Sequence, residues 1–149
     1  EDSHSVIKYG FTWLVNSDKL NDEIVFLIDN IEISVEFHPL LSWVRQSESS
    51  ASLLKHEQGH FDLAEIVKRK HQKIFENEFY NKHFPTRGQN DAQRKQYAKE
   101  DSGKMISLEV EKLNLQLKEK RNEYDQETNF GKNISEQEKY DEIFAKLRK

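Results

Sequence analysis

His56, Glu57 and His60 stand in the order H-E-x-x-H within Leu53-Leu54-Lys55-His56-Glu57-Gln58-Gly59-His60-Phe61-Asp62-Leu63-Ala64-Glu65, the one local pattern in this chain with a chemical mechanism attached. On a helix, residues four apart lie about 40° apart on one face and about 6 Å apart along the axis. His56 and His60 can therefore aim two imidazole nitrogens at one point. Glu57 sits within about 100° of both, beside that point. A zinc ion there would lower the pKa of a bound water, and a neighbouring carboxylate could take its proton.

The element that must position these groups reads as a helix. Ser49 or Ser50 can cap its start, and it runs to about Phe79 or Tyr80. Leu53, Leu54, Phe61, Leu63, Ala64, Ile66, Val67, Ile74 and Phe75 make it apolar on more than one side, which predicts a central, buried helix. Gly59 interrupts that pattern, at roughly 1 kcal/mol against Ala. A missing side chain between two would-be ligands leaves room for a substrate or another backbone. The plain alternative is a chance grouping of two histidines and a glutamate on a charged helix.

The chain as a whole bounds the reading. Its 149 residues fit one domain, strands mainly in 1–45 and helices mainly in 46–149. Nine Phe, five Tyr and two Trp are enough to build a core, which argues against disorder. A net charge of −4 with both signs interspersed gives no reason to expect nucleic acid or an anionic membrane as partner. With no cysteine, disulfides and Cys-ligated metals are excluded. No apolar run approaches the length of a membrane span. A start at Glu1 rather than Met is expected of a trimmed chain or of a mature form whose signal peptide is gone.

Ile7, Tyr9, Phe11, Trp13 and Val15 predict a first strand over 6–15, with a bulge or close approach at Gly10. Asn16, Ser17, Asp18 and Asn21 read as a polar connector. Ile24–Ile28 is a short apolar run of strand type, and Asp29-Asn30 is a hairpin turn or a bulge. Ile31, Ile33, Val35 and Phe37 alternate with polar residues, the cleanest half-buried strand, ended by Pro39. Leu40, Leu41, Trp43 and Val44 form an apolar linker. Asn81–Asn90 reads as the main loop of the second half, and Asp91–Glu100 as polar helix with a possible break at Asp101-Ser102-Gly103. Ile106, Val110, Leu113, Leu117 and Tyr124 then recur as one face of an amphipathic helix, stopped by Gly131 and Asn133. The Lys/Glu runs between 93 and 126 read as solvated helix faces. Ser135 and Glu138 have capping-box spacing and open a last helix whose inward face is Tyr140, Ile143, Phe144 and Leu147. Strands first and helices after predict an α+β fold: a small antiparallel sheet, a buried H-E-x-x-H helix and C-terminal helices, the general layout of zincins.

The block Leu53–Asp62 resembles the H-E-Q-G-H-F-D core of a bacterial family of predicted secreted zinc-dependent proteases, catalogued as domain of unknown function 922. Phe37 and Ser42-Trp43-Val44 resemble its lead-in. Tyr124-Asp125-Gln126-Glu127-Thr128-Asn129-Phe130-Gly131 is similar to a second element, Tyr-Asp-x-x-Thr-x-His-Gly, and Gln137 and Tyr140 match its continuation. The resemblance spans about residues 35–147 and is loose between the two blocks. It implies a secreted or periplasmic metalloprotease with His56 and His60 as zinc ligands, Glu57 as general base, and a third ligand where this chain has Phe130, which cannot ligate zinc. Three protein ligands and one open position are the usual catalytic arrangement. Asp125 and Glu127, close to the lost position, are candidate replacements, and His83 could swing in from its loop. His71 is a poor candidate, about 16 Å further along a continuous helix, and Asp62 and Glu65 point away.

Three functions follow. The first is peptide-bond hydrolysis by a zincin-like hydrolase, with Tyr124 either hydrogen-bonding the oxyanion or serving as a buried core tyrosine, and Ile31–Phe37 either pairing with an extended peptide or lying within the sheet. The second is a catalytically degenerate relative, its site filled by Phe130, that binds a peptide or protein. The third is a structural helical module whose histidines are satisfied core residues.

Overall fold

A computed structural model of the chain describes residues 3–37, 43–44 and 51–148. It is α+β, as expected. The elements are β1 (Ser3–His4), β2 (Ile7–Leu20), β3 (Glu23–Phe37), β4 (Trp43–Val44), α1 (Ala51–Phe79), β5 (Phe84–Pro85), α2 (Asp91–Glu127) and α3 (Ile134–Leu147). A three-stranded sheet has the order β2-β3-β5, and β1 pairs antiparallel with β4 through Ser3↔Val44 and His4↔Trp43. Ser49 and Ser50, expected to cap the helix, lie outside the described residues, as do Pro39, Leu40 and Leu41. No helix among the described residues is long and apolar enough to cross a membrane.

The β2–β3 hairpin turns on Asn21 and Asp22, both left-handed (φ 52° and 67°), a two-residue turn whose twist suits paired strands. The polar residues from Asn16 onward, expected in a connector, instead extend β2 to Leu20. Pairing needs only the backbone, so an exposed polar stretch keeps the ladder beyond the core. Gly10 lies in unbroken strand, where the ends of the Glu36 and Ser34 side chains close over it, 2.6 Å from where a Cβ would stand.

β3 joins what the sequence divides into two strands. Asn30 is left-handed (φ 48°) within it, the backbone signature of a bulge rather than a hairpin. Phe26 and Ile28 are buried before the bulge and Ile31 and Ile33 after it. The extra residue shifts the parity from even to odd, so both halves keep their apolar side chains inward. β5, inside the expected loop, adds Phe84 and Pro85 opposite Phe26 and Val25. At Ile31 the backbone of β3 is already engaged: its N–H donates to Tyr80 Oη at 2.9 Å and its carbonyl accepts from Gln72 Nε2 at 2.7 Å. An incoming peptide strand finds neither group available.

The chain divides into two compact units, residues 1–10, 34–69 and 114–149 in the first and 11–33 and 70–113 in the second. The second is built on Phe26, Ile28, Ile31, Ile33, Phe75, Phe79, Ala98, Ile106 and Leu113, all buried. Within it α2 runs straight through Asp101-Ser102-Gly103, so the expected break is not there. The Ser102 hydroxyl donates to the Lys99 carbonyl and accepts the Trp13 indole N–H at 3.0 Å, which satisfies it in helical backbone. The first unit is built on Ile7, Leu63, Ala64, Val67, Leu117, Tyr124 and Phe144. After Glu127 the chain turns through Asn129, Phe130 and Gly131, all left-handed, and Asn133 caps α3 by accepting from the Glu136 amide. The cap is thus Asn133, two residues before the expected Ser135, and its own N–H donates to the Thr128 carbonyl rather than to a glutamate three residues on. On the expected inward face of α3, Phe144 is buried but Ile143 is 52% exposed, and Gln137 is buried instead.

Candidate metal centre

Everything at the site lies in the first unit. α1 is buried there on the side carrying His56, Gly59, His60, Leu63, Ala64 and Val67. His56 Nε2 lies 2.9 Å, and His60 Nε2 2.7 Å, from the same oxygen, Oδ1 of Asp125 at the end of α2. The three side chains offer one ligand atom each, all within 4.8 Å of one another, and both histidines are buried. This group could hold a metal ion.

Asp125 is one of the two carboxylates that the sequence offered in place of the residue at Phe130. The other, Glu127, instead accepts the Tyr140 hydroxyl. His83 faces Asp18 at 3.5 Å in the second unit, and His71 is buried there against Phe75. Asp62 pairs with Arg148, and Glu65 with Lys68 and Arg69. Phe130 does not fill the site: the residue is 44% exposed, and its N–H closes the end of α2 on the Asp125 carbonyl. Glu57 is half-buried beside the histidines, near enough for its charge to act on both His60 and Tyr124.

Tyr124 holds the cluster from beneath. Its ring stacks on His56 with centroids 4.4 Å apart and meets His60 edge-on at 5.1 Å. Its hydroxyl donates to the His56 carbonyl and accepts from Gln137 Nε2, each at 2.8 Å. With its one hydrogen spent on the backbone of α1, the hydroxyl is a buried tie rather than a donor facing a substrate. Burial pushes its pKa up, which keeps the proton on. The same ring explains Gly59. A Cβ there would lie 2.1 Å from the Tyr124 hydroxyl oxygen and 2.9 Å from the Phe144 ring. The gap between the histidines thus admits an aromatic side chain, where a substrate or a backbone was expected.

The hydrogen-bond network assigns the imidazole hydrogens. Gln137 Nε2 donates to Tyr124 and, at 3.0 Å, to Asp141, so Gln137 Oε1 is the atom facing His56 Nδ1 at 2.8 Å. An amide oxygen only accepts, so Nδ1 of His56 carries hydrogen. In the neutral ring, Nε2 then turns a lone pair toward the Asp125 carboxylate. Two acceptors 2.9 Å apart repel unless a proton or a cation lies between them. At His56 the surroundings fit a metal ligand, including the acceptor behind it that orients such a ring.

At His60 one contact opposes a metal. Arg121 Nε donates to His60 Nδ1 at 2.9 Å while its Nη2 donates to the carbonyl and hydroxyl of Ser5. That places the ring hydrogen of neutral His60 on Nε2, pointing at Asp125. A cation on Nε2 requires the hydrogen to move to Nδ1, where it would face a guanidinium that only donates. The protonation states otherwise suit a ligand set. Burial, countered in part by Asp125, holds His60 below its ordinary value and therefore neutral. For Asp125, burial alone would push its pKa up, but the two imidazoles beside it outweigh that and hold it below the ordinary carboxylate range, so the carboxylate is ionised.

Arg121, Gln137 and Thr128 complete the cluster. Arg121 was hidden in a run read as solvated helix. The available signal was spacing: 121, 124, 125 and 128 follow the i, i+3, i+4, i+7 rule for one helix face. No protein-family model, no curated protein and no solved structure matches this chain.

Proposed function

We propose that this protein is a zincin-like metallopeptidase, with a divalent cation, zinc by the chemistry of the donors, held by His56, His60 and Asp125. What carries the reading is the convergence of two imidazole nitrogens and one carboxylate oxygen on a single point beside Glu57. Two histidines and a carboxylate are a donor set typical of catalytic zinc, which keeps a further position open. When bound, the ion supplies Lewis acidity and brings the pKa of a water toward neutrality. Glu57 acts as general base and then returns the proton to the leaving amine. Gln137 and Tyr124 orient His56, and Asp125 aligns both rings. The resemblance of Leu53–Asp62 and Tyr124–Gly131 to the secreted protease family points the same way, and with it to a secreted or periplasmic setting.

The test is elemental analysis of protein purified without chelator, together with digestion of a broad peptide mixture. Near one equivalent of zinc and cleavage that disappears in Glu57→Gln are expected. Protein that retains no zinc after incubation with it, or cleavage indifferent to Glu57→Gln, refutes the proposal.

A second reading is favoured by the Arg121–His60 bond. With Arg121 in place the cluster is a metal-free polar tie, and the protein is a catalytically degenerate binding module. A melting temperature unmoved by added zinc supports that reading, since a ligand held only by the native state stabilises it.

A further inference from the structure

Beside the cluster lies a cleft of about 300 Å³ in the first unit. Its floor is apolar, formed by Ile7 and Leu117, and Asp125 lies at one end. Its wall is a stripe of α2: Asn114, Lys118, Arg121, Asn122 and Asp125 fall within about 100° of one another on the helix. Asn114, Lys118 and Asn122 are exposed, and none of their side chains makes a hydrogen bond or ion pair among the described residues. Asp125 is committed to two imidazoles and Arg121 to His60 and Ser5, so the charge left facing the cleft is the Lys118 ammonium.

These groups have a definite complement. A carboxamide offers a donor and an acceptor side by side, as a peptide main chain does, and an ammonium without a partner complements a carboxylate. Lys118 and Asp125 are seven residues apart, about 10 Å along the helix, a span covered by about three residues of extended chain. We propose that this stripe is a track for an extended acidic peptide leading to the cluster, Asn114 and Asn122 meeting its main chain and Lys118 a carboxylate about three residues from the bond held there. The proposal takes from the peptidase reading only what happens at the cluster; the binding itself depends on the stripe.

Fluorescence anisotropy tests it with two fluorescein-labelled peptides of Gly, Ala and Ser, identical except for Glu or Lys three residues to either side of the central bond. Titrations are run on chelator-treated protein and on zinc-incubated Glu57→Gln. The Glu peptide is expected to bind about fivefold more tightly than the Lys peptide, the scale of one exposed ion pair. Lys118→Met should abolish the preference, and Lys118→Glu should reverse it. Equal binding of the two peptides, binding of neither, or a preference that survives Lys118→Glu overturns the proposal. Because the preference is expected without metal, failure to bind zinc refutes the peptidase reading alone, and failure of the charge reversal refutes the track alone.

Discussion

Replacing Arg121 should make the site bind zinc more tightly, the reverse of the usual outcome of mutating a residue in contact with a ligand. Arg121 Nε donates to His60 Nδ1 at 2.9 Å, and only a ring with its hydrogen on Nδ1 can offer Nε2 to a cation. Occupation therefore breaks a hydrogen bond from a charged donor, worth about 1.5–3 kcal/mol, while the two bonds to Ser5 resist withdrawal of the guanidinium. Glutamine at 121 supplies an amide oxygen that can accept from Nδ1–H, the arrangement that supports a ligating histidine. At about 1.4 kcal/mol per factor of ten, Arg121→Gln should lower the zinc Kd about tenfold to a hundredfold. Arg121→Lys keeps a cation with only donors and should give little of this gain. Competition against a chromogenic chelator measures the affinities, and cooperative melting of each metal-free variant confirms that it is folded. Zinc binding by a folded Arg121→Gln protein that is no tighter than wild type refutes the hydrogen assignment at His60.

Phe130→His should leave zinc affinity within about threefold of wild type, well short of the roughly tenfold or greater change expected when a ligand or its orienting partner is altered, because the residue is half-exposed in a left-handed turn and Asp125 supplies the third donor; a larger gain in a chelator competition contradicts that assignment. Gly59→Ala should lower the melting temperature, since the clash with Tyr124, about 1–3 kcal/mol for overpacking, exceeds the roughly 1 kcal/mol gained in helix propensity; a rise in calorimetry contradicts the packing. His71 is buried with neither ring nitrogen hydrogen-bonded, and burial, with Lys70 adding to it and Glu109 opposing, holds its pKa below the ordinary 6.5. The unfolded chain thus takes up this proton more readily than the folded one, so the stability that His71 contributes is complete above 6.5 and falls as pH drops through and below it. His71→Leu should flatten the decline in melting temperature between about pH 7 and pH 5, and an unchanged slope rejects the account.

Where the fold was legible, one element carried one periodicity. Ile31–Phe37 alternates without interruption, and the α+β order follows from it and from the helical spacing of 106–124. One misreading comes from a side chain satisfied by a distant partner. Ser102 and Gly103 look like a helix end until Trp13 is placed against Ser102. At Asp29-Asn30, where the sequence leaves a hairpin turn or a bulge open, the need of Phe26, Ile28, Ile31 and Ile33 for the same side of one strand decides for the bulge.

The site divides in the same way. His56 and His60 belong to one helix, so spacing alone brings them together, whereas the third donor comes from a second helix whose rotation no local pattern reveals. Asp125 and Glu127 are about 200° apart on α2, and one of them must face away. What selects between them is Gly59. Only a residue without Cβ lets the Tyr124 hydroxyl reach the position found, and that contact, with the stacking on His56, sets the rotation of α2. Asp125, next in the chain, then falls between the two imidazoles, and Glu127 is carried round to Tyr140. The glycine inside H-E-x-x-H and the tyrosine preceding Asp125 are two halves of one fitting, and the position of Asp125 between the two imidazoles depends on both.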